Sequence, residues 1–186
     1  MASDIPLFLG QLLRKPGQVV ALAPSSAALA QHMVQAVPDG SGAVVELGPG
    51  TGKITRALLG RGIAASDLHL FELNPDFASH LRDTFPETHI HITGAQNAVD
   101  HMDEPVRAVV SGLPLLSMPN HIQDAIVGGA FQMMGRGGVF IQFTYGPVPP
   151  INEALRKNLG LRWDVSRKIW GNLPPARVYT FRQSKV

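Results

Sequence analysis

The chain reads as one α/β domain: a mostly parallel sheet, helices on both of its faces, and an antiparallel strand pair at the C-terminal end. Three observations predict this. Short apolar runs at 44–47, 68–73, 89–93, 109–113 and 139–145 alternate with helix-like stretches at 26–37, 53–61, 76–85 and 121–134, as βαβ crossovers require. Proline and glycine fall between these segments, where loop punctuation belongs. After the fifth run, GPVPP leads into a short helix and then two β-rich segments, 163–170 and 177–182, joined by GNLPPA.

The bulk composition bounds the rest. At 186 residues the chain holds one domain of this kind, and 45% hydrophobic with 16% charged residues describes a folded core rather than a disordered chain. The absence of cysteine excludes a disulfide framework, a thiolate nucleophile and a Cys-based zinc site, and suits a reducing cytosol. No apolar run reaches the length of a membrane span, and the start MASDIPLFLGQLLRKPG lacks the basic opening and long apolar stretch of a secretory signal. A net charge of +2 permits an anionic partner without selecting one. His89 and His91 alternate onto one strand face, but no third ligand stands at metal-site spacing, so they read as ordinary strand residues and no metal is expected.

The most informative stretch is AVVELGPGTGKITRALL. A buried strand ends in Glu46, a turn follows with Gly48, Gly50, Thr51 and Gly52, and a helix begins. Glycine allows positive φ there and lets a ligand approach the backbone, while the helix start offers free N–H groups. A P-loop is excluded because Leu47 stands where its first glycine belongs and Ile54 follows Lys53. The dinucleotide fingerprint G-x-G-x-x-G is also not met by G-P-G-T-G. Glu72, with Leu73 beside it, ends the second run twenty residues after Gly52, where a carboxylate can accept hydrogen bonds from both ribose hydroxyls.

The E-x-G-x-G-x-G form resembles motif I of the Class I methyltransferases, which are Rossmann-like and use S-adenosylmethionine (AdoMet). Where that family commonly has Gly-Asp-Ala, this chain has Gly94-Ala95-Gln96-Asn97, so the adenine contact passes to the side-chain amides of Gln96 or Asn97. Where amino-methylating relatives carry an N/D-x-P-Y/F motif, Ser111-Gly112-Leu113-Pro114-Leu115 keeps the proline and lacks the lead amide and the aromatic. The pieces ALAPSSAALA, VVELGPGTG, FELNPDF, VVSGLPLLSMP, QFTYGP and NLPPARVY together resemble bacterial phospholipid N-methyltransferases of the branch related to rRNA dimethylases. That resemblance implies stepwise methyl transfer from AdoMet to phosphatidylethanolamine, toward phosphatidylcholine, with S-adenosylhomocysteine as by-product. It implies cofactor contacts from Ser25, Ser26, Ser111, Gly112 and Leu113 as well as the glycine loop. Ser111 and Tyr145 are then the candidate catalytic residues, Pro114 and Leu115 an aliphatic acceptor wall, and Arg14, Lys15 and Arg177 the candidates for lipid phosphate. His121 is a weaker candidate for a base.

A lipid acceptor also suits the N-terminus. Ile5, Phe8, Leu9, Leu12 and Leu13 form one apolar stripe of a helix over residues 1–16, with Arg14 and Lys15 at its end and Pro16-Gly17 stopping it. Such a segment either lies in a headgroup layer or packs on its own domain, residues 17–186. These readings describe a monomer without stable protein partners, cytoplasmic and peripherally attached to the inner face of the membrane. The alternatives are an rRNA adenine N6-dimethyltransferase and a non-catalytic AdoMet-binding membrane module. The first is disfavoured because the chain shows no dense Lys/Arg face for nucleic acid.

Overall fold

The computed structural model describes residues 26–184, so Ser25 and the expected helix of residues 1–16, with Ile5, Phe8, Leu9, Leu12, Leu13, Arg14 and Lys15, lie outside the described residues. The strands are β1 (Ala43–Leu47), β2 (Leu68–Phe71), β3 (His89–His91), β4 (Val106–Ser111), β5 (Met134–Thr144), β6 (Leu161–Val165) and β7 (Arg177–Gln183). They form a single sheet in the order β3-β2-β1-β4-β5-β7-β6. The first five pair in parallel, and β7 runs antiparallel to both β5 and β6, which makes β6 parallel to β5. The fold is thus the expected Rossmann-like architecture, with the reversed strand β7 inserted between β5 and β6.

The helices are α1 (Ala27–Gln35), α2 (Lys53–Gly60), α3 (Pro75–Thr84), α4 (Asn120–Met133) and α5 (Glu153–Asn158). Their starts follow from short polar caps. Ser26 Oγ accepts the Leu29 N–H at 3.1 Å, Asn74 caps α3 ahead of Pro75, and Asn152 caps α5. Strand alternation divides the core in two. Val45, Leu47, Phe71, Val109 and Phe140 pack on one face with Ile122, Ile126 and Val127 of α4. Val44, Leu68, Leu70, Val110 and Ile141 pack on the other with Leu29 and Met33 of α1 and Ile54 and Leu58 of α2.

Several expected boundaries move. β2 and β3 end at Phe71 and His91, because the residues beyond them turn into the ligand-side loops. β4 starts at Val106, since Val106 already pairs with Ala43. The segment expected as a strand over 163–170 divides instead. β6 ends at Val165, and 166–176 is a loop closed by one bridge between Ile169 and Ala176.

One glycine fixes the entry into α2. Gly52, its N-cap, has φ 75°, and a Cβ there would lie 2.4 Å from Phe85 Cε2. Gly52→Ala is expected to destabilise the fold by roughly 1–3 kcal/mol through left-handed strain and overpacking. A urea midpoint unchanged from the unaltered protein would contradict this account of the turn.

Candidate functional site

The site is built where the strand order reverses, between β1 and β4, at the carboxyl ends of the parallel strands. Two backbones approach closely there. A Cβ on Gly112 would sit 2.8 Å from Gly48 O, and one on Gly48 would sit 2.6 Å from Leu113 Cδ2. The Gly112 N–H also donates to Leu47 O at 2.9 Å, and Gly48 N–H to Phe71 O at 3.0 Å. Gly48 and Gly50 both take positive φ, 70° and 55°. Gly50 differs from its neighbours in that a Cβ on it would meet nothing within 4 Å: its face of the loop opens outward. Thr51 beside it is exposed.

Two buried carboxyl groups flank this loop. Glu72 accepts the Gly50 N–H at 3.0 Å through Oε2 and the Asn74 N–H at 2.8 Å through Oε1, while burial pushes its pKa up and those donors oppose the rise. Its carboxylate is thereby held against the glycine loop. Glu46 points to the opposite face of the sheet from Val45 and Leu47, beneath α2. There Thr55 Oγ1 donates to its Oε2 at 2.7 Å, and its Oε1 is buried without a partner. Burial raises its pKa to about 8, the Thr55 hydrogen bond opposes that, and the nearby Glu72 charge adds to it.

On the β3 side, Ala95 packs into the core, Gln96 is half-buried with an unpartnered Oε1, and Asn97 is exposed and donates to Thr93 Oγ1 at 3.1 Å. Leu73 is half-buried against the same core. Among these three, Gln96 keeps a free buried acceptor. The β3 histidines belong to a stack not foreseen from the sequence. His69 Nδ1 lies 3.2 Å from His91 Nε2, His69 Nε2 lies 3.0 Å from Glu104, and His101 tilts against His91. Burial first, and then the neighbouring imidazoles, push His91 down to about 4. No cluster suited to a metal ion occurs among the described residues.

On the β4 side, Ser111 is fully buried and its Oγ accepts the Leu113 N–H at 3.3 Å. Gly112, Leu113 and Pro114 are half-buried at the crevice. Leu115, expected in the acceptor wall, is corrected by the structure. The 3₁₀ turn Leu115–Ser117 rotates it into the core at 1% exposure and presents Leu116 outward. A side-chain amide does stand beside this strand end, on the adjacent strand. Gln142, paired with Ser111 in the sheet, donates Nε2 to Leu113 O at 2.9 Å and to Phe143 O at 3.1 Å, leaving Oε1 buried and unpartnered. The sequence signal for it was the Q of QFTYGP, overlooked beside the tyrosine.

Tyr145 is half-buried, with its ring edge-on to Phe143 and Asn172 beside its hydroxyl; burial raises its pKa, so it stays neutral. Asn172, also missed in the sequence, is 3% exposed and accepts the Ser26 N–H at 2.9 Å. Ser26 is committed to capping α1 and to this bond. Arg177 is exposed at the start of β7, opposite Thr144, and His121 is exposed on α4.

These residues fit AdoMet on structural grounds. Four buried side-chain atoms among the described residues lack a partner, and three of them, Glu46 Oε1, Gln96 Oε1 and Gln142 Oε1, belong to this edge. A polar, cationic nucleoside is the kind of ligand that unsatisfied acceptors and an open glycine backbone suit. The fold and site define a Class I AdoMet-dependent methyltransferase. The chain is 31% identical, over 193 residues, to the ornithine lipid N-methyltransferase of Singulisphaera acidiphila, an alignment covering 98% of this chain and 97% of that one, and it belongs to the same family. Among solved structures it resembles the glycopeptide N-methyltransferase MtfA complexed with AdoMet (TM-score 0.69, 11% identity, 88% of this chain and 96% of that one). It also resembles an rRNA methylase from Streptococcus thermophilus (TM-score 0.60, 16% identity, 89% of this chain and 100% of that one). At such identities the last two speak for the fold alone. No family model matches the chain.

Two predictions follow from the loop and the acid beneath it. Gly50→Val places a branched Cβ at φ 55° in the open space of the loop, so AdoMet binding by calorimetry is expected to be lost while the circular dichroism spectrum is kept; retained affinity would remove the loop from the site. Glu46 holds its proton up to about pH 8 when folded, against an ordinary value of 4.5. Its stabilising contribution is therefore complete below about pH 4.5 and lost as pH rises through about 8. Glu46→Gln is expected to flatten the fall in melting temperature across that window; an identical pH slope in the variant would contradict the assignment.

Proposed function

We propose that this chain transfers methyl groups from AdoMet to the amine of a membrane aminolipid, phosphatidylethanolamine and its methylated derivatives, in the direction of phosphatidylcholine. The observation that carries a lipid acceptor is the relationship, along nearly the full length of both chains, to a lipid N-methyltransferase. AdoMet supplies an electrophilic methyl carbon on a sulfonium, so the protein chiefly aligns, desolvates and holds. The N–H groups of the glycine loop and the Glu72 carboxylate bind the nucleoside half, the latter exchanging its Gly50 and Asn74 donors for ribose hydroxyls. Gln96 Oε1 takes the adenine amine in place of the aspartate that Ala95 lacks.

At the acceptor end, Ser111 and the Gln142 amide lock the loop 111–114 from both sides. Once the headgroup ammonium has lost a proton to solvent, Gln142 Oε1, without another partner, accepts an N–H of the primary or secondary amine and turns the amine lone pair toward the methyl. The N–C bond forms as the sulfonium C–S bond breaks, leaving S-adenosylhomocysteine. Leu113 and Pro114 make the adjoining wall aliphatic. Tyr145, neutral and braced by Phe143, shapes the mouth of the pocket. Arg177 meets the anion beside the amine.

The specific relative favours a second acceptor, the ornithine lipid. Both headgroups present a primary amine next to an anion, phosphate in one and carboxylate in the other. Labelled AdoMet offered with phosphatidylethanolamine, with ornithine lipid, or with undermethylated rRNA separates the cases. Label in the phosphatidylethanolamine pool supports the principal reading, and label confined to ornithine lipid moves it to the relative's substrate. Label in RNA overturns the lipid acceptor.

A further inference from the structure

The described residues expose seven large hydrophobic side chains, and five of them stand in loops leaving the carboxyl ends of four successive parallel strands. Ile92 follows β3, Leu116 follows β4, Val148 follows β5, and Trp170 and Leu173 follow β6. The last two are the most exposed of all, 74% and 85%. They are not on a loose loop. Ile169 is buried and bridged to Ala176 by an N–H donated to its carbonyl at 2.7 Å, and Asn172 between them is buried and bonded to Ser26 and Pro174. Gly171 lies so close to α1 that a Cβ would stand 3.1 Å from Ala28 Cβ. With Ile169 and Asn172 turned inward, the held backbone turns Trp170 and Leu173 outward.

The charges around this tip share one sign. Residues 166–177 contain Arg167, Lys168 and Arg177 and no acidic residue, and Lys168 Nζ sits 4.6 Å from the Trp170 ring centroid; Arg182, at the other end of β7, is paired with Asp164. An indole and an aliphatic side chain projecting from a basic collar have the chemistry of an anionic bilayer interface, where the ring lies at headgroup depth and the cations meet lipid phosphates. The apolar points are spread over separate loops rather than gathered in a groove, which suits a deformable lipid surface better than a folded partner. They also border the site: Leu116 follows the 111–114 loop, Val148 follows Tyr145, and Asn172 joins the tip to Tyr145.

We propose that the loop bearing Trp170 and Leu173 docks the carboxyl edge of the sheet onto an anionic phospholipid bilayer. The mouth of the pocket then faces the headgroups, and an acceptor amine enters without its acyl chains leaving the membrane. The purpose assigned to this docking rests on the lipid reading above; the docking itself does not.

The chain has two tryptophans, so Trp163→Phe leaves Trp170 as the only indole. In this variant, mixed phosphatidylethanolamine–phosphatidylglycerol vesicles are expected to shift emission to the blue, and brominated acyl chains to quench it; pure phosphatidylcholine should do less of both. Emission that stays unchanged while the protein sediments with vesicles overturns the proposal, as does emission already blue and insensitive to vesicles, which would mean the tip is covered by the chain itself. The double variant Trp170→Ser, Leu173→Ser tests the consequence. Methyl transfer to vesicle lipid should fall at least ~10-fold, with transfer to the same lipid in detergent micelles and AdoMet affinity both retained. Equal transfer from vesicles by the double variant also overturns it. If the unaltered protein methylates no lipid in either form, the acceptor reading fails, and the fluorescence still decides the docking.

Discussion

The close approach of two backbones at the head of β1 and β4 is the constraint on which the rest of the site depends. Gly48 and Gly112 lie against one another with no room for a Cβ between them, tied by the Gly112 N–H to the Leu47 carbonyl. Because no side chain separates the two loops, the glycine turn and the 111–114 segment share one crevice. The glycine turn and the 111–114 loop are therefore parts of one rigid edge. The strand pairing of Ser111 with both Leu47 and Gln142 extends that rigidity across three strands.

Electrostatics then set what such a crevice accepts. Glu46 and Glu72 both sit in places where burial disfavours their charge, and the few donors available satisfy only part of their lone pairs. A ligand carrying hydroxyls and positive charge relieves that shortage. Thr55 and Asn74 are the supporting groups: Thr55 donates to one oxygen of Glu46 and leaves the other unpartnered, and Asn74 with Gly50 holds both oxygens of Glu72. Gln142 plays the same part for the 111–114 loop, with one amide atom structural and the other uncommitted.

The outer rim of this edge differs in character from its interior. Inside are carboxyl groups and amides; outside are isolated apolar side chains, with Arg167, Lys168 and Arg177 near Trp170 and Leu173. Asn172 connects the two. It is buried, holds the entry to α1 through Ser26, and stands beside the Tyr145 hydroxyl. A polar residue in that position keeps the 166–176 loop in one conformation, and this in turn decides which of its side chains meet water.

Much of the fold was legible in the chain because its signals are local. Strand and helix alternation, the glycine turn after Glu46, and Glu72 just past the next strand each depend on neighbours in sequence, and their order is kept while several strand ends move. The residues that were missed depend on distant partners. Nothing near Gln142 indicates that its amide reaches the Leu113 carbonyl one strand away, and nothing near Asn172 indicates Ser26. Leu115 shows the converse: its place in a motif suggested a pocket wall, and a single 3₁₀ turn sent it into the core. Local periodicity and turn chemistry determined the elements and the glycine turn. Packing across the sheet decided which polar atoms stay unpaired and which side chains are turned outward, because burial and pairing belong to the assembled surfaces rather than to any one segment.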